Sequence, residues 1–388
     1  MILITGNNLT AKTLFLLLKK VGVNCILLAK NYSSEQHSKY REKFASRTMA
    51  ISGENINTLG KIVDIKKIIQ ISGEIKEIYI KNSIKSNNPE IIFKADDYGL
   101  QNMGYIIGYN TLCDEIELEL QKYSEFIIKN IASVESTNNE FQIAGDDRSI
   151  IAKTVIFTDD SCLEDFNIEK SNSISKSYNE SAITLNIKHK NSHHNIAIEH
   201  FTHLGPLASL PMSDQFFSNI VRTVPQNVAD AIAKMNTEER NSIILDELIK
   251  PLEYDLGDIE IVSDVSIFPL ELRINKQTDL KNIIYFGTYN FAMHPIAGQG
   301  FNVILRDIAR ITVLAHNSKI DEFKIKISRK IDIGSMLLIT DCLNEFFKIK
   351  NPLISKIRGV GMTLFNTTPW IKKFAFKNAI GNGFFNKI

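Results

Sequence analysis

The sequence has little of what would narrow its class at once. Four cysteines occur in 388 residues, at Cys25, Cys113, Cys162 and Cys342, with no Cys-x-x-Cys pair. This scatter excludes a disulfide framework and a zinc knuckle, and makes a reducing cytoplasm the simpler compartment. No run of about 18 apolar residues exists, so no segment reads as a membrane span. The opening Met1-Ile2-Leu3-Ile4-Thr5 has no basic stretch before its short apolar run and reads as a strand. An excess of one charge is also missing. Lys and Arg number 45 against 44 Asp and Glu, a net charge of +1, which leaves no footprint of a nucleic-acid binder or an acidic-substrate trap. What is present is an ordinary globular composition, 44% hydrophobic and 23% charged, long enough for two or three domains.

Residues 1–30 read as strand, turn, helix and strand. Met1–Thr5 is apolar, Gly6-Asn7-Asn8 is turn chemistry, and Leu9–Lys20 repeats apolar residues on a helical period, closing on two lysines that suit a helix C-terminus. Cys25-Ile26-Leu27-Leu28 is a second buried strand, so a parallel βαβ unit opens the chain, as in dinucleotide folds. Residues 75–95 read as a hairpin, 111–130 as a helix, and 150–158 as a strand. From 178 to 270 the pattern is mostly strands with a helical insertion near 226–250. Residues 283–287 return to a buried strand, Val303–Ala315 reads as a helix, and the tail from Ile331 reads as helices. Strand–helix blocks interrupted by β-rich segments imply an α/β fold with α+β insertions. The expected architecture is a Rossmann-like domain over 1–75, 101–165 and 276–325, an inserted β-sheet substrate domain over 76–100 and 166–275, and a helical region over 326–388.

Four groups of residues carry the functional argument. Gly6-x-Asn8-x-x-Ala11 follows a strand and opens a helix, the context of a dinucleotide fingerprint. The first glycine survives and Ala11 is an accepted small substitute, but Asn8 puts a side chain where the backbone would approach a pyrophosphate. The second group is Gly287-Thr288 with His294-Pro295-Ile296-Ala297-Gly298-Gln299-Gly300-Phe301-Asn302. It reads as a strand, a Pro/Gly turn and a helix N-terminus, whose free N–H groups suit an anionic or carbonyl ligand. Glu199-x-Phe201 with Gly205-Pro206-Leu207-Ala208-x-Leu210-Pro211 reads, on its own, as a structural strand–turn–strand. His189, His193, His194, His200 and His203 raise the question of a metal. Their spacing fits no helical His-x-x-x-His pair and the segment alternates like a strand, so they read as exposed strand and loop histidines and no metal is expected.

Together these residues resemble the ubiquinone-biosynthesis hydroxylase family, flavoproteins related to para-hydroxybenzoate hydroxylase. The resemblance runs over nearly the whole chain. His294–Asn302 matches the family's His-Pro-x-Ala-Gly-Gln-Gly-x-Asn, and Arg306-Asp307 falls on its Arg-Asp pair. Ser46–Ser52, with Arg47, looks like its Arg-containing segment. Gly104-Tyr105 with Asn110 and Leu112, and Glu199–Pro211, look like further signatures. Phe268-Pro269-Leu270, Arg358–Met362, and Asn366 with Pro369 also fall in place. The resemblance implies an FAD-dependent monooxygenase, reduced by NAD(P)H or another donor, that hydroxylates the aromatic ring of a polyprenylated phenol in ubiquinone biosynthesis. It implies that Gly6 and Ala11 line the pyrophosphate turn and that Arg47 lies near the phosphates. Asp159, Gly287 and Thr288 would take the family's remaining cofactor positions. Pro295, Gly298, Gln299, Gly300, Phe301 and Asn302 would border the flavin ring. No catalytic residue stands out.

The same comparison exposes departures, all at the cofactor. Asn8 replaces the second fingerprint glycine, Ala29 replaces the acid expected to hold a ribose, and Thr288 replaces the aspartate after Gly287. Of the family's Gly-Ala-Asp-Gly, Phe157-Thr158-Asp159-Asp160 keeps only Asp159. A second expectation therefore stands beside the first: a non-catalytic relative with weak or lost FAD binding that holds a polyprenyl lipid or scaffolds other ubiquinone-biosynthesis proteins. From Lys356 to Ile388 the tail carries six Lys or Arg and no acid, interleaved with Phe365, Trp370, Phe374, Phe376, Phe384 and Phe385. That pattern suits peripheral contact with an anionic inner-membrane surface, or equally a packed terminal helix with solvated lysines.

Overall fold

The computed structural model describes residues 1–30, 32, 47–82, 91–137, 140–170, 173–202, 204–275, 280–292 and 300–316. The N-terminal βαβ unit forms as read. Strand β1 (Ile2–Thr5) leads through Gly6 into helix α1 (Leu9–Lys20), and β2 (Cys25–Leu28) returns parallel to β1. Asn8 caps α1, its side-chain oxygen accepting from the Ala11 N–H at 2.9 Å, while Lys19 and Lys20 sit at the negative end of the helix dipole.

The chain continues with β3 (Thr48–Ser52), α2 (Gly53–Leu59), α3 (Ile65–Gln70), β4 (Gly73–Ile75), β5 (Glu77–Asn82), β6 (Ile91–Lys94) and β7 (Gly104–Gly108). Next come α4 (Tyr109–Gln121), β8 (Ile127–Ile128), β9 (Ser133–Thr137), β10 (Glu140–Gly145), β11 (Arg148–Ala152) and β12 (Thr154–Phe157). The long strand β13 (Ser173–His189) precedes β14 (Ile196–Thr202), β15 (Gly205–Pro211) and β16 (Phe217–Pro225). Helices α5 (Gln226–Lys234), α6 (Thr237–Ile243) and α7 (Glu253–Leu256) lead to β17 (Ile259–Ile261), β18 (Ser266–Asn275) and β19 (Ile283–Tyr285). A single turn, α8 (Gly287–Asn290), then β20 (Phe291–Ala292) and α9 (Gly300–His316) complete the described elements.

Five parallel strands in the order β19-β12-β1-β2-β8 form the central sheet. Its strands are buried on both faces, which is why they read as continuous apolar runs rather than alternating ones. On one face α1, α4, α9 and α2 pack around Leu14, Leu17, Leu18, Leu112 and Ile308. On the other, the antiparallel sheet β9-β10-β11 closes over Phe141, Phe157 and Phe166.

A second sheet has the order β20-β18-β13-β16-β15-β14-β5-β6, with β17 beside β13. Helices α5 to α7 and the turns between them cover one face around Leu185, Ile220, Ile232 and Leu252. The other face meets the small sheet β3-β7-β4, sharing a core of Ile75, Phe93, Met103, Ile106 and Ala197. The join is tight. A Cβ on Gly73 would lie 1.7 Å from the Pro211 carbonyl oxygen, so only glycine lets β4 approach β15.

Several expectations need correction. The helix expected over 111–130 ends at Gln121, and Ile127–Ile128 pairs with β2 as a strand of the parallel sheet. The strand expected over 150–158 is two strands. Arg148–Ala152 pairs with β10, and after Lys153 the chain joins β1 as Thr154–Phe157. The strand at 283–287 stops at Tyr285 because Gly287 begins a helical turn. His189, His193 and His200 are buried rather than exposed. The tail from Ile331, including Lys356–Ile388, lies outside the described residues.

Candidate functional site

The end of β1 forms the first half of the site. Gly6 has φ +128, and a Cβ there would fall 2.2 Å from Thr158 Oγ1 and 2.6 Å from Asp159 Oδ2. Glycine is therefore required, because the turn after β12 packs directly on the turn after β1. Asn8 binds that second turn as well as capping α1: its Nδ2 donates to the Thr158 carbonyl and hydroxyl at 3.1 Å each and to Asp159 Oδ2 at 3.2 Å. The Asn7 N–H donates to the same carboxylate oxygen at 3.2 Å. Asp159 Oδ1 accepts from the Ser161 N–H and hydroxyl. Ala11 is fully buried behind this turn.

These contacts bear on whether a dinucleotide fits. The backbone N–H groups of Leu9 and Thr10, in the first turn of a twelve-residue helix, donate to no acceptor among the described residues. Such groups, with the helix dipole behind them, suit a phosphate. Asn7 and Asn8, in contrast, are committed to Asp159. The turn thus fits a pyrophosphate on its Leu9–Thr10 side and is internally satisfied on its Asn7–Asn8 side. At the end of β2, Ala29 is buried and Lys30 Nζ lies 3.0 and 2.8 Å from the two Asp165 oxygens, so a cation occupies the region where an acid would hold a ribose.

The remaining cofactor positions are more dispersed. Gly287 is buried against Thr10, bringing the turn after β19 onto the start of α1, and Thr288 beside it is exposed. Arg47 is exposed at the start of β3, its guanidinium 4.6 Å from the centre of the Tyr109 ring. Gly300, Phe301 and Asn302 form the first turn of α9. Asn302 is buried and holds protein rather than open space. Its Oδ1 accepts from the Ser52 N–H at 3.0 Å and Asn55 Nδ2 at 2.8 Å, and its Nδ2 donates to the Ala50 carbonyl at 2.7 Å. That side chain ties α9 to β3 and α2. Pro295, Gly298 and Gln299 lie outside the described residues.

Among the described residues the histidines do not gather around a metal-sized centre, and His203 lies outside those residues. His189 is bonded to the Asn191 carbonyl and the Ser218 hydroxyl, and His193 to the Met212 and Asp214 carbonyls and the Asn195 N–H. Among the described residues no group of His, Cys, Asp or Glu is arranged to hold a metal ion. His200 is different: both ring nitrogens are buried without a hydrogen-bond partner among the described residues. Burial, then Lys81 and Arg222, press its midpoint down to about 4, so the ring is neutral near pH 7. Lys81 is itself only 2% exposed and is neutralised by Asp255, 2.6 and 2.7 Å from its two oxygens.

The group that sequence reasoning missed is Glu199. It follows the opposite rule from its neighbour, its side chain emerging on the sheet face turned toward β3, β4 and β7. Burial alone pushes its carboxyl up to about 7. It is neither sealed nor fully exposed. The residues of Glu199–Pro211 read alone as structural, and their match to a family signature singled out no carboxyl, because burial is decided by which sheet face meets the small sheet.

No protein-family model matches the chain. In sequence it is 27% identical over 213 residues to ubiquinone hydroxylase UbiL of Rhodospirillum rubrum. That alignment takes in 53% of this chain and 48% of the relative, so the chain spans about half the length of the curated relative it matches. In structure it superposes on p-nitrophenol 4-monooxygenase PnpA of Pseudomonas putida with a TM-score of 0.72 and 11% identity, covering 99% of this chain and 98% of that one. It also superposes on HpxO of Klebsiella pneumoniae, solved with FAD and uric acid, with a TM-score of 0.71 and 9% identity, covering 99% and 97%. The α/β architecture read from sequence is thus the fold of these solved monooxygenases, and in sequence the chain is similar to ubiquinone hydroxylases.

Proposed function

We propose that the chain is an FAD-dependent monooxygenase that hydroxylates the ring of a polyprenylated phenol in ubiquinone biosynthesis. The observation that carries this reading is the first turn of α1, where the Leu9 and Thr10 N–H groups have no acceptor among the described residues, beside a glycine that no other residue can replace. FAD, reduced by NAD(P)H or another donor, would supply the oxygen-transfer chemistry. The chain's part is to bind, orient and exclude water. Leu9 and Thr10 hold the pyrophosphate, Gly6 and Ala11 keep the backbone close to it, and Arg47 adds positive charge. Asp159 fixes the turn through Asn7 and Asn8. Gly287 and Thr288 take the ribityl side, and the backbone of Gly300, Phe301 and Asn302 the flavin-ring side; the resemblance gives Pro295, Gly298 and Gln299, outside the described residues, the same role.

The bonds from Asn7 and Asn8 to Asp159 favour a second reading, a relative that has lost FAD and keeps a lipid-binding or scaffolding role. Both readings meet in one titration of the full chain with FAD, followed by flavin fluorescence and thermal shift. The enzyme reading expects saturable binding. It also expects Asn8→Gly to tighten binding about fivefold, since one committed polar group displaced by a ligand costs on the order of 1 kcal/mol. If neither protein takes up FAD, the scaffold reading replaces it.

The substrate's polyprenyl tail also places the reaction at a lipid surface. Among the described residues no helix is long and apolar enough to cross a membrane. The basic, aromatic stretch from Lys356 to Ile388 is proposed as a peripheral contact with an anionic bilayer.

A further inference from the structure

Proton handling at the substrate ring is unassigned by everything above, and one side chain is placed for it. Glu199 sits in the middle of β14 with Ile80 of β5 and Ala208 of β15 as its register partners, and Val221 of β16 beyond Ala208. Ala197 and Phe201 precede and follow it on the same face. The row is apolar apart from this carboxyl. Ile78, Ile80, Leu210 and Val221 share Glu199's partial exposure, so they form a greasy floor rather than a sealed core.

The floor looks toward the dinucleotide-binding half. Thr48, next to Arg47, donates through Oγ1 to Asn219 Oδ1 at 2.7 Å, and Asn219 is the register partner of Leu210 on this face. Ala197 packs with Ala50 and Ile106 of the small sheet. Ionisable groups on the elements packed against this face are engaged elsewhere. Glu74 is paired with Lys76 and accepts from Asn102, which also donates to the Tyr105 hydroxyl, and Tyr98 lies beside Asp97. None of them offsets the effect of burial on Glu199. The carboxyl has no hydrogen bond or ion pair of its own among the described residues. A half-buried acceptor on an apolar face, with no donor among the described residues, is open to a donor that a ligand brings.

We propose that Glu199 takes the hydroxyl proton of the substrate phenol, resting on the monooxygenase reading above. The phenol O–H bond breaks, the proton passes to a Glu199 oxygen, and the electron pair stays on the phenol oxygen and spreads into the ring. Ring carbons ortho and para to that oxygen become electron-rich, the condition for accepting an electrophilic oxygen. Net charge is unchanged by the transfer, which suits an apolar floor. The acidity match is the reason for burying the acceptor. An exposed glutamate trails a phenol of midpoint about 10 by nearly six decades, whereas this carboxyl trails it by about three.

The test is calorimetric, on the full chain saturated with FAD, using 4-butylphenol as the probe at pH 6 and pH 8 in buffers of different ionisation enthalpy. The carboxylate fraction of Glu199 rises from about 10% to about 90% across that interval. Affinity is therefore expected to rise about ninefold. Binding should release close to one proton at pH 6 and almost none at pH 8. Glu199→Gln should bind with no pH dependence and no proton exchange, Glu199→Asp should restore both, and His200→Gln, on the opposite face, should leave both intact. Flat affinity and no proton release in the unsubstituted protein, or an unchanged profile in Glu199→Gln, overturns the assignment to Glu199 alone. No probe binding by the unsubstituted protein at either pH overturns the hydroxylase reading with it. The proton count in the unsubstituted protein decides the matter even where Glu199→Gln folds poorly.

Discussion

Glu199 and His200 are adjacent in sequence, face opposite sides of one strand, and titrate in opposite directions over nearly the same pH range. Their effects on stability should therefore hide each other. His200 has its midpoint lowered from 6.5 to about 4, by burial first and then by Lys81 and Arg222. Above pH 6.5 the ring is neutral in both folded and unfolded chains and its contribution is complete. As pH falls below 6.5 the unfolded chain takes up a proton that the folded one refuses, and stability is lost until about pH 4. Glu199 has its midpoint raised from 4.5 to about 7 by burial. Below pH 4.5 it is protonated in both states. As pH rises the unfolded chain releases the proton and the folded chain keeps it, so stability is lost until about pH 7. Each displacement is worth about 3 kcal/mol.

The pair should consequently contribute almost no slope between pH 4.5 and 6.5. In Glu199→Gln the His200 effect is uncovered, and stability relative to the unsubstituted protein should climb by about 3 kcal/mol from pH 4.5 to 7. His200→Gln should show the mirror image, a relative loss of about 3 kcal/mol over that range. Urea unfolding at four pH values, followed by fluorescence, reads both differences, and comparing variants cancels the other titrating groups. Difference curves that stay level with pH would falsify the burial argument for that residue, whatever the absolute stabilities.

Two further outcomes follow from buried polar contacts. Asp255→Ala leaves the Lys81 ammonium buried without its carboxylate and should cost about 3 kcal/mol, read as a lowered unfolding midpoint, while Lys81→Met in the same chain should recover most of it. Asn302→Ala strands the Ser52 N–H and the Ala50 carbonyl inside the protein and should also cost about 3 kcal/mol. A cost below about 1 kcal/mol in denaturant would mean that the tie from α9 to β3 is not what holds these elements together.

What the sequence disclosed, and what it withheld, has a physical pattern. The β1–α1–β2 unit was legible because its signals are local: an apolar run, a Gly-Asn-Asn turn, a helical period and two closing lysines. Ile127–Ile128 was absorbed into a helix because two apolar residues fit either period, and their pairing with β2 is a contact across roughly a hundred residues. The break at Lys153 was invisible for the same reason, since Ala152 and Thr154 differ only in which distant strand receives them. At the site, Gly6 and Asn8 were identifiable as turn residues, but the partnership of Asn8 with Thr158 and Asp159 joins positions about 150 apart. The exposure expected of His189, His193 and His200 was wrong, whereas His194 is exposed as expected. His189 and His200 do lie on strands, yet whether a strand face is wet depends on what lies over it. Here α5 to α7 cover one face and β3, β4 and β7 the other.

The parallel pairing of β14 with β5 also sets a timetable for synthesis. The β5–β6 hairpin leaves the ribosome with an unpaired edge, and the strand that covers it begins at Ile196. At about 5–20 residues per second, the intervening stretch of more than a hundred residues takes on the order of ten seconds to make. For that time Ile78 and Ile80 stand on an open strand edge, the condition under which nascent chains pair with the wrong partner. The face that carries Glu199 is therefore completed long after its first strand is made. Slowing translation between Asn82 and Ile196 should lower the yield of folded protein more than slowing it after Pro225.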